Sequence, residues 1–275
     1  MSLSVQLNIF SGRPNPRFFL PETKAFDLYQ RALEAGPAPR NATRGLGYRG
    51  FTLLPVEPRS RLDALSRDAL GDAHARGLTL SGAPDLEDEL IALALEHLDL
   101  SSRVKAALEK GPARPLLSAS TAVDCPDCKG EDAPAYDPDW WNNDQTRLED
   151  NNCYNYANNQ ATNTFAQPGR ASHTPMTGET CGGVQPSAEA DGLTATDNFT
   201  DETPGWYVAL VIWPDEDFHW YRQDAGGCWS HKAGETPVTN LDAAGDEITD
   251  PATCDRGDYT QFCSYMITNA AVVIN

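Results

Sequence analysis

The chain predicts an α+β protein in two parts, and three observations carry that reading. All seven cysteines lie at or beyond position 125, which sets a Cys-free first stretch apart from a Cys-bearing second one. The first stretch alternates short strand-like runs with runs of helical apolar spacing. The second holds an aromatic, β-branched segment over 205–234 that turn residues cut into three short strands. The chain divides accordingly into a small α+β module over 1–120, a linker with a CxxC over 121–149, and a helix-plus-antiparallel-sheet domain over 150–275.

The elements follow in order. "SVQLNIF" (4–10) alternates as a strand does, and "GRPNPRFFLP" (12–21) interrupts it with three prolines. "ETKAFDLYQRALEAG" (22–36) has apolar residues at helical spacing and a Gly stop. "LGYRGFTLLP" (46–55) reads as a second strand, and 60–77 and 83–111 read as helices. Pro84 and an acidic first turn open the last of these, with Lys105 and Lys110 towards its end, as the helix dipole favours. His74 and His97 fall on these helices as packing or surface residues. In the second part, Tyr207–Trp213, Phe218–Arg222 and Cys228–His231 form a meander joined by "PDED" and "DAGG" turns. The Gly-, Pro-, Ser- and Thr-rich stretch 166–205 reads as a long surface loop. Residues 236–251 read as a hairpin, and 259–275 as a last sheet strand.

Composition narrows the function classes. Lys+Arg is 21 against Asp+Glu 40, a net charge of −19 over 275 residues. That balance argues against a nucleic-acid groove or an anionic membrane as partner. No apolar run approaches the roughly 20 residues of a membrane span. "MSLSVQLNIFSGRPNP" has no basic region followed by an apolar one, so a standard signal peptide is not expected. The expectation is a cytoplasmic protein or one exported by a signal-independent route. Disulfides would require an oxidising destination instead.

Chemistry concentrates around Cys153. Asp150–Asn152 are good N-caps, so a helix starting there puts Cys153 in its first turn. Unsatisfied backbone N–H groups and the positive helix end lower a thiol pKa in that position. A nucleophilic thiol needs a base, and His219 and His231 lie on adjacent antiparallel strands. A five-residue loop over Gln223–Gly227 pairs Arg222 with Cys228 and brings His219 opposite His231 on one face. One imidazole would take the Cys153 proton and the other would orient it. His173 is a backup base. The bland alternative is that Cys153 sits in a disulfide or in the core.

A helix-borne Cys followed by His residues on successive strands resembles the papain-like superfamily, in its Cys–His–His version of the NlpC-type cell-wall endopeptidases. The resemblance spans 150–232. This chain carries Asn152-Cys153-Tyr154-Asn155 where that family has Asp-Cys-Ser-Gly. It implies an amide hydrolase or acyl transferase working through a thioester on a peptide or other amide substrate. Cys153, His219 and His231 would be catalytic, and Asn152 or Tyr154 would supply an oxyanion donor beside the Cys153 N–H.

No cofactor is implied. Zinc at Cys125 and Cys128, or calcium at Asn240 and Asp242, rests on incomplete ligand sets, and a long-range disulfide from the CxxC is the plainer expectation. Two other functions stand beside the hydrolase. One is a disulfide-stabilised acidic binding or matrix module without catalysis. The other is a zinc hydrolase using His219, His231 and a carboxylate such as Asp217.

Overall fold

The computed structural model describes residues 3–38, 46–58, 60–71, 77–111, 124–200 and 203–275. It has the α+β composition expected and divides into two compact units. The first comprises Met1–Ile9, Asn15–Thr43 and Tyr48–Pro112; the second comprises Phe10–Pro14, Arg44–Gly47 and Ala113–Asn275. His74 and the whole 112–123 connection lie outside the described residues.

The first unit is an antiparallel sheet backed by helices. Strands β1 (Leu3–Leu7), β2 (Arg17–Leu20), β3 (Phe51–Pro55) and β4 (Leu78–Leu80) stand in the order β2-β1-β3-β4. Alternation aims Leu3, Val5, Leu7, Leu53 and Phe51 into the core. β2 follows the prolines, and β4 is too short to show a period. Helix α1 (Glu22–Ala35) buries Ala25, Leu28, Tyr29 and Ala32, four positions at helical spacing, and stops at Gly36. Tyr29 of α1 donates to Ser66 of α2 (Arg61–Leu70), whose N-cap Ser60 accepts from the Asp63 N–H. The single helix expected over 83–111 is two, α3 (Pro84–His97) and α4 (Ser102–Lys110). Ser101 caps α4 by accepting from the Val104 N–H, and a local cap of this kind restarts a helix after a break. His97 stacks on Phe18 with ring centroids 5.2 Å apart, a packing role.

The second unit holds a six-stranded antiparallel sheet. Its strands are β5 (Thr194–Thr196), β6 (Trp206–Trp213), β7 (Asp217–Gln223), β8 (Trp229–Lys232), β9 (Val238–Thr239) and β10 (Gln261–Thr268), in the order β5-β10-β6-β7-β8-β9. The expected meander is β6-β7-β8, and the final strand inserts beside β6. Short helices α5 (Pro138–Asn142) and α6 (Gln145–Glu149) occupy the end of the expected linker, followed by α7 (Cys153–Ala157). The stretch read as a long loop carries α8 (Cys181–Asp191) and β5. Thr180 caps α8, and Pro186 inside it hid the helix from a reading that treats proline as a breaker. One sheet face packs Val208, Leu210, Ile212, Phe218 and Trp220 against Cys153, Tyr154 and Ala157 of α7 and Val184 and Ala188 of α8. Two disulfides staple the unit: Cys181–Cys263 joins α8 to β10, and Cys125–Cys228 joins the CxxC segment to the β7–β8 turn. Bonds of this kind persist in oxidising compartments.

Candidate functional site

Cys153 lies at the first position of α7, as expected, and Asn152 caps it. The Asn152 side-chain Oδ1 accepts from the Tyr154 and Asn155 N–H groups, at 3.0 and 3.2 Å. Its amide donates to Gly12 O and Ala166 O, both at 2.8 Å. The Tyr154 hydroxyl donates to Asp191 at 3.0 Å. Both oxyanion candidates are thus engaged in bonds to Gly12, to Ala166 and to α8.

The histidines share a face, at a different register. Pairing runs Gln223↔Trp229, Arg222↔Ser230 and Tyr221↔His231, so Asp224–Cys228 form the five-residue loop. The two-residue shift leaves the face unchanged and sets His231 diagonal to His219, with ring centroids 4.9 Å apart and planes at 86°. His231 Nε2 lies 3.0 Å from Leu241 O. The group on His219 Nδ1 is the Ser11 hydroxyl, not His231. His173 is exposed, in a turn with positive φ.

Residues 10–14 are the unforeseen part. They run along β7 where β8 has ceased to pair with it, and the strap is anchored on Asp217. That carboxylate accepts from the N–H groups of Ser11 (2.5 Å), Gly12 (3.2 Å) and Arg13 (3.0 Å) and from the Tyr259 hydroxyl. Gly12 is required by close approach, since a Cβ there would lie 2.5 Å from Phe218 O. Alternation puts Phe218 and Trp220 on the Cys153 side of the strand and His219 on the other. Ser11 bonds the imidazole and stands near the Cys153 thiol, whose sulfur lies 4.0 Å from Phe218 O. The result is a cluster of Cys153, Ser11 and His219, with Asp217 holding the strap. Asp217, His219 and Tyr221 recur at period two in "DFHWY", a signal that could have placed Asp217 beside His219. Nothing in "FSGRPNP" points to residues more than two hundred positions away.

The cluster is sealed. Ser11, Cys153, Asp217 and His219 are all fully buried. Burial, followed by the nearby Asp217 charge, pushes the Cys153 thiol up to about 12. The expected lowering at a helix start loses here because α7 has only five residues and the sulfur is wholly desolvated. Burial also raises Asp217, to about 6, against the hydrogen bonds that lower it.

The metal candidates are likewise engaged. Among the described residues, the ligand-type cluster is Cys125, Cys228 and Glu247, and its two sulfurs are bonded to each other. Zinc on Cys125 and Cys128 is therefore incompatible with this oxidised form. Asp242 accepts from the Ala244, Asp246 and Asp255 N–H groups, and the Asn240 amide donates to Glu247, so the supposed calcium residues build a turn. Asp217, offered as a zinc ligand, is spent on the strap. No helix among the described residues is long and apolar enough to cross a membrane.

With this geometry in place, comparison with known proteins decides the family. The chain is 47% identical over 131 residues to insoluble matrix shell protein 1 of Ruditapes philippinarum, a match covering 48% of this chain and 87% of that protein. The chain belongs to the family of that shell protein. No family model and no solved structure matches. This relationship corrects the thiol-protease reading: the relative is named for a matrix, not for hydrolysis. The buried, protonated thiol agrees with the correction.

Proposed function

We propose that this chain is a non-catalytic, disulfide-stapled acidic component of an extracellular, shell-type matrix. The observation that carries the reading is the 47% identity to a named insoluble shell matrix protein across 87% of that protein's length. Two further features support it. The disulfides Cys125–Cys228 and Cys181–Cys263 suit an oxidising, exported setting. The net charge of −19 suits a surface that gathers cations or adheres to cationic polymer and mineral faces. In this reading Ser11, Cys153, Asp217 and His219 are internal scaffolding, with the 10–14 strap fixed to Asp217 and His219 of β7 and to the Asn152 cap of α7.

Fractionation of the source tissue tests the proposal. An antibody to the chain should find it in the extracellular matrix residue that stays insoluble after washing with detergent and chelator. Recovery in the soluble cytosolic fraction would overturn the reading. Limiting iodoacetamide on the native protein gives an independent check. Half-exposed Cys128 should label before fully buried Cys153. Preferential labelling of Cys153 at mildly acidic pH would contradict the scaffolding role.

A further inference from the structure

The loop after β5 holds the tripeptide Asn198-Phe199-Thr200, the acceptor pattern for an asparagine-linked oligosaccharide. The fold gives its three residues different roles. Phe199 packs inward, its ring centroid 4.4 Å from that of Tyr207 on β6 and 4.8 Å from that of Tyr265 on β10. Thr200 is tied to the same tyrosine, its N–H donating to the Tyr207 hydroxyl at 2.6 Å. Asn198 is exposed and engages only its backbone: its N–H donates to Thr196 Oγ1 at 3.1 Å, and its carbonyl accepts from that hydroxyl at 3.0 Å. The Asn198 side-chain amide makes no hydrogen bond among the described residues. That sets it apart from Asn151, Asn152, Asn155 and Asn158, whose side-chain amides all donate inside the unit. β5 also ends the six-stranded order. Among the described residues, no strand therefore pairs with its outer edge to meet a bulky group on the following loop.

We infer that Asn198 is a modification site that carries an asparagine-linked oligosaccharide. The inference rests on the exported, matrix reading, since the sugar donor is met on the route where disulfides also form. The donor is an oligosaccharide joined through its anomeric carbon to a lipid diphosphate. The Asn198 amide nitrogen bonds that carbon, the carbon–oxygen bond to the diphosphate breaks, and the electron pair leaves on the diphosphate oxygen. One amide proton is lost to base and balances the charge of the leaving group, and nothing is oxidised or reduced. In the folded loop the Thr200 hydroxyl lies 2.7 Å from Thr203 Oγ1, so the pattern is read before the loop closes. The fold's part is to leave the product outside. Because the Asn198 amide holds no structural bond, its modification removes none, and the sugar extends from an exposed position beside a free sheet edge.

Glycopeptide mapping of the full chain, taken from the extracellular matrix of its source tissue, tests the site. The protein is treated in heavy-oxygen water with an amidase that cuts between the sugar and the asparagine nitrogen, which turns a glycosylated asparagine into a heavy-labelled aspartate. The label should appear in the peptide spanning 198–200, and the intact protein should migrate faster on a denaturing gel after treatment. Expression in a secreting animal cell line then gives the variants. Asn198→Gln and Thr200→Ala should each lose all sugar from this peptide, while Thr200→Ser, which keeps the hydroxyl, should retain it. Retention of the sugar in Thr200→Ala, or its loss in Thr200→Ser with the chain still secreted, would overturn the inference. The chain's other such tripeptide, at Asn41, lies outside the described residues. An exported chain with Asn198 unmodified, or with sugar on Asn41 alone, would overturn the inference and leave the matrix reading standing. A chain confined to the cytosolic fraction would overturn both.

Discussion

In the first unit, Leu28 and Ala32 of α1, Leu62 of α2 and Leu53 of β3 are buried aliphatic side chains, on a stretch of sequence without a cysteine. Both units bury charge, Arg49 and Glu87 in the first among them, and in the second each buried cation has fixed partners. The Arg222 guanidinium sits on the Tyr156 ring and bonds Asp224 at 2.7 Å, with both side chains nearly inaccessible. The Lys232 ammonium donates to the carbonyls of Leu148, Asn151 and Gly234. Where the units differ is helix length. Helices of fourteen residues such as α1 and α3 present a whole apolar stripe, whereas α5, α6 and α7 have five residues each. Helices that short are marginal on their own. Loops between them are held by fixed polar partners and by disulfides, which tolerate irregular backbone where a stripe does not.

The contrast can be broken most sharply at the disulfides. Replacing Cys181 and Cys263 together by serine opens a loop of 82 residues and should cost the second unit about 4.5 kcal/mol by loop entropy. Calorimetry should show one transition falling while another holds; a single transition shifting as a whole would mean the units do not melt independently. The converse perturbation is Leu53→Ala, which should cost about 3 kcal/mol through a core cavity and move only the other transition.

A pH titration then sharpens the polar side of the comparison. Asp217 ionises near 6 when folded, above the ordinary carboxylate value of 3.8. The folded state therefore binds the extra proton, and this group's contribution is full below about pH 4 and lost as pH rises through 6. The loss amounts to about 3 kcal/mol. Asp217→Asn should flatten that part of the denaturant-midpoint profile between pH 4 and 7; an unchanged profile would remove Asp217 as its source. The smallest effect belongs to Ser60→Ala, which deletes the α2 cap and should cost the first unit about 1 kcal/mol. Urea unfolding followed through that unit reads it directly, and a loss of several kcal/mol would mean Ser60 does more than cap.

Legibility in the sequence tracks the same division. Apolar periodicity placed α1 and the β6-β7-β8 meander to within a few residues, because each buries a regular face, and it found the start of α2 but ran that helix past its Gly71 cap. It merged α3 with α4, since only the four residues Leu98–Ser101 separate them. It missed α8, whose Pro186 looks like a stop. At the candidate site, local rules found the Asn152 cap, the Cys153 position and the shared face of the two histidines. They failed on Ser11 and Tyr259, which meet Asp217 only through tertiary contacts. They also misjudged the thiol, because burial is a property of the assembled unit and outweighs a short helix dipole.

The strap of residues 10–14 has a consequence for how the chain is made. Ser11 leaves the ribosome 206 residues ahead of Asp217, the group that receives its N–H. During synthesis the flanking strands β1 and β2 have all they need to pair, while the segment between them must wait, unpartnered, for the last third of the polypeptide. A cut at the apparent border near residue 112 would therefore not yield two self-sufficient pieces. The C-terminal fragment would be born without the peptide that fills the edge of its own sheet, and supplying residues 10–14 as a separate short peptide should restore what the cut removed.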